Sequence, residues 1–149
     1  MDSRYPLVAS QFTALAVLAW PGRPRWRLPA AAAAGAGVLT AAGGELAEAG
    51  ARAQGRQLSP WIAPPRQGRL LTSGPYAVSR NPIYAGLLVG GLGVAVLRRR
   101  VRPLAAWTSL AVVLHVKSGK EEQALLERFG AEYEAYRRRV PRLLGVPPR

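Results

Sequence analysis

Five side chains in two short blocks carry the chemistry open to this sequence. Arg80, Asn81 and Tyr84 stand in Gly74-Pro75-Tyr76-Ala77-Val78-Ser79-Arg80-Asn81-Pro82-Ile83-Tyr84-Ala85-Gly86, where a polar turn opens directly into an apolar helix. A second charged cluster, Lys120-Glu121-Glu122, follows the next apolar segments and leads into Phe129-Gly130, Tyr133, Tyr136 and Val140-Pro141. A guanidinium, a carboxamide, a phenol and two carboxylates gathered where apolar chain ends would hold a polar cofactor at one face of a membrane.

The elements that must position them are apolar windows with basic flanks. The chain has 149 residues, enough for a single domain, with 49% hydrophobic residues, 21 basic against 8 acidic ones and a formal net charge of +13. Mean hydropathy is near zero only because long windows almost free of charge alternate with clustered arginines; a soluble domain would interleave them. Four windows hold the apolar content, about Tyr5–Trp20, Leu28–Gly44, Pro82–Leu97 and Pro103–Val116. Each is shorter than the roughly 20 residues that cross about 30 Å of hydrocarbon, a deficit that snorkelling Arg stems or local thinning can close. The second is the weakest, mostly Ala and Gly and running into Glu45 and Glu48, and by itself it also reads as a buried soluble helix. The expected fold is an all-α integral-membrane bundle of about four apolar helices plus a C-terminal amphipathic helix. Residues 1–51 would form an N-terminal helical pair and 52–145 a cofactor-binding core of one domain, 1–149.

Asp2 and Arg4 make a poor basic leader and no Ala-x-Ala site precedes Pro21-Gly22, so the first window is expected to be a retained helix. With no cysteine there is no disulfide framework, thiolate metal site or thiol nucleophile. A cytoplasmic N-terminus and four crossings put Pro21–Arg27 and Arg98–Arg102 outside with 3 and 4 arginines, leaving 14 of 21 basic residues inside. The positive-inside rule favours that orientation only modestly, and a short hairpin of the last two windows that does not cross fully is the alternative. Residues 52–81 form a Pro-rich connection with no helical period, yet hold Trp61, Ile62, Leu70, Leu71 and Tyr76, which points to packing over the site. The Arg, Ala, Gly and Pro bias resembles coding from a GC-rich bacterial genome.

Toward the C-terminus Leu125, Phe129, Tyr133, Tyr136 and Val140 recur at spacings of 4, 4, 3 and 4, one stripe of an amphipathic helix, and Glu121 and Glu122 edge that stripe. Each candidate also has a purely structural reading. Asn81-Pro82 is a good helix start, with Asn as N-cap and Pro at N1, and Tyr84 can be an interfacial aromatic. Ser118 with Glu121 has capping-box spacing, which leaves Glu122 the better functional candidate. Gly86 and Gly90 form Gly-x-x-x-Gly, read as helix packing and compatible with a homodimer. His115, the only histidine, is read as a bundle hydrogen bonder, and no metal site can be assembled from it. Arg137-Arg138-Arg139 reads as an anionic-lipid and topology signal. Nucleic-acid binding is excluded because the basic residues flank every membrane boundary without forming one face.

These residues carry a resemblance. Leu71-Thr72-Ser73-Gly74-Pro75-Tyr76, Ser79-Arg80-Asn81-Pro82-Ile83-Tyr84-Ala85-Gly86, Glu121-Glu122 and the run Phe129 to Pro141 look like the isoprenylcysteine carboxyl methyltransferase and phospholipid methyltransferase superfamily, over about residues 54–145. What the resemblance implies is a membrane methyltransferase that binds S-adenosylmethionine in a pocket of its C-terminal helices and cytosolic loops. Arg80, Asn81, Pro82 and Tyr84 would line that pocket, Glu122 would close it, and Glu121 and Tyr76 would contribute. The common form of the motif has His where this chain has Asn81, which can hydrogen-bond but not titrate.

Methyl transfer from a sulfonium asks mainly for alignment, water exclusion and charge placement. Arg80 and Glu122 are therefore the catalytic candidates: Arg80 to hold a carboxylate or pair with Glu122, and Glu122 or water to take an acceptor's proton. Tyr84 can offer its ring to the sulfonium. The acceptor would be a lipophilic or small molecule reached from the bilayer, with membrane lipids as the other partners and the bacterial inner membrane as the location. Two alternatives stay open: an NADPH-dependent sterol or steroid-type membrane reductase, whose Arg-His-Pro-x-Tyr element is similar, and a basic membrane protein without catalysis.

Overall fold

The computed structural model describes residues 4–55, 68–145 and 147. Among the described residues all regular structure is helical: α1 (Arg4–Ala19), α2 (Ala30–Gln54), α3 (Pro75–Val78), α4 (Pro82–Arg98), α5 (Val101–Phe129) and α6 (Ala131–Arg139). Of the connection expected to pack over the site, Trp61, Ile62, Pro60, Pro64 and Pro65 lie outside the described residues. Leu70 does pack as expected, against Tyr133, Tyr136 and Val140.

The second window, the weakest in sequence, becomes the one helix among the described residues long and apolar enough to cross a membrane by itself, 25 residues that run through Glu45 and Glu48. Only 11% of its apolar stretch is buried, which removes the reading as a buried soluble helix. Val38 and Leu39 on α2, Phe12 and Val17 on α1 and Val112 on α5 also point outward. In water such a surface would be an association liability; in a bilayer the hydrocarbon is its solvent. Thr40, Thr108 and Ser109 turn their hydroxyls back to the carbonyls of Ala36, Leu104 and Ala105, so these polar groups are satisfied within their own helices. The protein is a helical membrane bundle.

Glycine lets α2 and α4 approach to backbone contact. A Cβ on Gly43 would overlap Gly90, one on Gly86 would meet Ala47 N at 2.5 Å, and one on Gly93 would overlap Ala36 and Thr40. Gly86 and Gly90 thus serve packing, as expected, but their face is filled by α2 of the same chain and is not open to a second copy. The core proper lies between α1, α4 and α5, where Ala14, Tyr84, Leu110 and Leu114 are buried with Leu15, Ile83 and Leu87 around them.

One expectation about the C-terminal part fails. The fourth window and Lys120–Phe129 are a single 29-residue helix, and the break comes at Gly130, whose φ of 50° and ψ of −121° a Cβ would oppose. Ser118 therefore sits mid-helix with its hydroxyl on His115 O at 2.9 Å and caps nothing. The apolar stripe still converges, because the turn at Gly130 folds α6 so that Tyr133, Tyr136 and Val140 meet Leu125 and Phe129.

Candidate active site

The two blocks read from the sequence come together at the start of α4. The chain entering α4 is stitched to the segment leaving α6: Tyr136 Oη donates to Tyr76 O at 2.6 Å and Arg80 N to Pro141 O at 2.9 Å. Ser79 Oγ and Asn81 Nδ2 both donate to Arg142 O, at 3.3 and 3.0 Å. Asn81 does occupy the N-cap position and Pro82 N1, but the Asn81 side chain makes no cap bond, since its amide is turned toward Arg142. Pro82 is buried against Gly50 of α2.

At the centre lies a three-member ion cluster. Glu122, 5% exposed, has Arg80 Nη2 2.8 Å from Oε1, and receives Arg142 Nε and Nη2 on Oε2 at 3.0 and 2.8 Å. Arg80, 7% exposed, also donates Nη1 to Arg137 O at 2.9 Å. The Arg80 approach to Oε1 lies outside hydrogen-bonding angles, so that oxygen has a cation beside it without a directed donor. Two further buried groups here have no hydrogen-bond partner among the described residues, Arg80 Nε and Tyr133 Oη. Buried polar atoms without partners are uncommon and costly, and a cluster of three is where a polar ligand would be accepted.

Glu121 and Glu122 are neighbours on a helix and so point about 100° apart, which gives them different partners. Glu121 faces α4, where Tyr84 Oη donates to Oε1 at 2.6 Å, and Lys117 Nζ stands 4.0 Å from the same oxygen. Both carboxylates lie on the C-terminal part of α5, beyond its apolar window. Burial pushes the Glu121 carboxyl up to about 7, with the Tyr84 hydroxyl and the Lys117 ammonium pulling the other way. Burial, with Glu121 nearby, pushes the Tyr76 hydroxyl up to about 12. Burial likewise raises Tyr133 and Tyr136, so all three phenols remain donors.

Lys117, Gln11 and Arg142 were not foreseen in the sequence as site residues. Lys117 is 1% exposed, donates to Gln11 Oε1 at 3.0 Å and lies 5.2 Å over the Tyr84 ring. One face of the Tyr84 ring, the ring expected to receive a sulfonium, thus already carries a cation from within the chain. A signal was available: Lys117 is one of only two lysines among 21 basic residues and stands four before Glu121. His115, expected to hydrogen-bond inside the bundle, is instead exposed on α5. Among the described residues no group of three or more His, Cys, Asp or Glu side chains could hold a metal ion.

A sequence model of the phospholipid methyltransferase family matches residues 52–132. Protein-S-isoprenylcysteine O-methyltransferase B of Arabidopsis thaliana is 34% identical over 82 residues, 53% of this chain and 40% of that protein. The nickel-cobalt-cadmium resistance protein NccN of Alcaligenes xylosoxydans xylosoxydans is 33% identical over 82 residues, 54% of this chain and 38% of that protein. The chain thus spans about two fifths of the length of these curated relatives. The family match takes in Tyr76, Arg80, Asn81, Tyr84, Lys117, Glu121 and Glu122, and stops before Tyr133 and Arg142. With more than half of its residues inside that match, this chain belongs to the phospholipid methyltransferase family.

Proposed function

We propose that this protein transfers a methyl group from S-adenosylmethionine to a lipophilic or small acceptor at the face of the membrane where α4 begins, the cytosolic face of a bacterial inner membrane. The observation that carries the reading is the joining of the two motif blocks around Arg80, Glu122 and Arg142, with three buried polar atoms left without directed partners. The donor set fits the cofactor. Arg80 Nε and Tyr133 Oη can donate to its carboxylate or ribose oxygens, and Glu122 Oε1 can accept from its ammonium. Asn81, Pro82 and Tyr76 would form the wall beside them. When bound, the cofactor supplies an electrophilic methyl group on a sulfonium.

The chain's own residues then have two tasks. Arg80, Glu122 and Arg142 bind and orient, their charges already placed before any ligand arrives. Glu121 holds or moves the proton: its raised carboxyl exists in both protonation states near neutrality, so it can take the proton that an O–H, N–H or S–H acceptor must lose. The sequence alone offers Glu122 or water for that step; with both of its oxygens against guanidinium groups, Glu122 is assigned the role of anchor. Tyr84, by donating to Glu121, and Lys117, by sitting beside it, position this base.

Two measurements test the reading. The Tyr133→Phe variant removes a buried hydroxyl that bonds nothing among the described residues, so thermal stability in detergent should hold or rise. Calorimetric affinity for S-adenosylmethionine and S-adenosylhomocysteine should nevertheless fall about tenfold. Unchanged affinity would remove Tyr133 from the site, and binding of NADPH in place of the adenosyl ligands would move the protein to the reductase reading. Second, the methyl-transfer rate to a protonated acceptor should climb as pH rises through about 7, where Glu121 ionises. Glu121→Gln should flatten that rise and lower the rate about 100-fold, within the usual range for a lost general base. A variant that keeps the wild-type pH profile would exclude Glu121 as the proton acceptor.

A further inference from the structure

The end of the bundle opposite the Arg80–Glu122 cluster is rich in arginine. α1 and α4 end there and α2 and α5 begin there, so Arg23, Arg25 and Arg27 of the α1–α2 loop meet Arg98, Arg99, Arg100 and Arg102 of the α4–α5 turn. The two loops are fastened to each other. Arg25 N donates to Arg99 O at 2.9 Å and Arg98 Nη2 to Ala19 O at 2.6 Å. The Arg100 guanidinium lies so close to Gly22 that any Cβ there would overlap it. Between the loops is an open cavity of about 380 Å³ lined by Arg23, Arg25, Arg100 and Arg102 together with Gly22, Pro24 and Val101.

Among the described residues no acidic side chain neutralises this cavity. The sequence has no acidic residue from Ser3 to Gly44 or from Pro82 to Lys120, the stretches that build this end. Arg100 Nη1 is buried without a hydrogen-bond partner. Val101 opens a 29-residue helix whose first amides have no side-chain cap, which adds partial positive charge at the same place. Arg99 holds a left-handed conformation, φ 52°, where Gly or Asn is the usual choice. Orientation in the membrane does not account for the cluster, because the other basic residues of the chain flank the opposite face and the two sets work against each other.

We propose that this cradle binds the phosphate of an anionic glycerophospholipid in the leaflet opposite the Arg80–Glu122 site. Its position favours a lipid over a soluble anion: the cavity sits where apolar helices end, and Trp20 and Trp26, 68% and 38% exposed, adjoin its lining residues in sequence as headgroup-level aromatics do. The lipid is structural, since the 17 residues of α4, about 25 Å of helix, separate the cradle from the cluster at Arg80. It clamps the α1–α2 loop to the α4–α5 turn by supplying the counter-charge the chain lacks.

The test uses the full chain in nanodiscs of phosphatidylcholine doped with phosphatidylglycerol, with retained lipid counted by native mass spectrometry and thermal midpoints recorded alongside. Wild type should retain phosphatidylglycerol selectively and gain thermal stability from it. The double variant Arg23→Gln/Arg102→Gln alters two exposed side chains and should weaken that retention about 30-fold, on the order of a fivefold factor for each basic contact. Arg138→Gln/Arg139→Gln removes the same charge from the other face and should leave it unchanged. Equal loss in both double variants, or wild-type retention by Arg23→Gln/Arg102→Gln, would overturn the proposal. So would inorganic phosphate at equal concentration protecting the protein as well as the lipid does.

Discussion

Glu122→Ala is expected to be among the most damaging single substitutions in this chain, lowering stability by about 3–5 kcal/mol through an uncompensated buried charge. Arg80 is 7% exposed and would keep only the Arg137 carbonyl as a partner for its guanidinium. Arg142, with a side chain 37% exposed, can swing toward water and would suffer less. The loss should therefore spread along the stitched segments, freeing 68–81 from 136–142 to proteolysis before the apolar helices give way. A double variant separates charge from packing. Arg80→Met/Glu122→Met removes both members of the buried pair, and such replacements are frequently neutral relative to the intact pair. It should recover most of the thermal midpoint lost by Glu122→Ala while binding no adenosyl ligand. If the double variant is as unstable as the single one, the ion cluster is not what joins the two blocks. If the single variant melts like wild type, Glu122 is not buried between arginines.

Gly86→Val should rank beside it for a different reason. The Cβ of any residue at 86 would lie 2.5 Å from Ala47 N and from Gly43 O, and backbone atoms cannot rotate away as a side-chain tip can. Overpacking a closed interface costs about 1–3 kcal/mol and more where the backbone must shift, and α2 and α4 would have to separate along their whole shared face. Without a hydrophobic drive between helices in lipid, close packing is the principal force joining them. α2 should then detach, lowering the midpoint by more than any single cavity-forming change in the α1–α5 core. Gly44 on α2 is the control, one position from the closely packed Gly43, with nothing within 4 Å of its own Cβ direction. Gly44→Ala should hold or raise stability by about 0.5–1 kcal/mol through helix propensity. Equal effects at 86 and 44 would mean that α2 does not lie on α4 as described.

The contrast between Gly43 and Gly44 shows how much of this fold is local and how much is not. The Gly86–Gly90 spacing marked α4 as a packing helix, but α2 reads as an undifferentiated Ala–Gly run. Its working stripe, Ala36, Gly43 and Gly50 with Thr40 and Ala47, becomes visible only when α4 lies against it. The same holds at α5. The polar stretch after Val116 reads as the end of a helix because composition changes there, yet composition measures the surroundings and helix continuity depends on the backbone. Nothing in Lys117-Ser118-Gly119-Lys120 forces a break once Lys117 and Ser118 are buried by neighbouring elements.

What the sequence by itself determined was the helical membrane class, the positions of the apolar windows and the identity of the two polar blocks. Each of these is written in residues near one another, through apolar content, 3.6-residue periodicity and a motif whose members adjoin. What only the tertiary structure decided was the division of labour inside the second block. Glu121 and Glu122 are adjacent in sequence, and the helical turn sends one to Tyr84 and Lys117 and the other to Arg80 and Arg142. Lys117 finds Gln11 at a separation of 106 residues, and Arg142 finds Glu122 across the break at Gly130. Pairings of that kind follow from how α1, α4 and α6 are set around α5. Many helix arrangements satisfy the same local pattern, and the choice among them is made by packing and by the need of each buried charge for a partner.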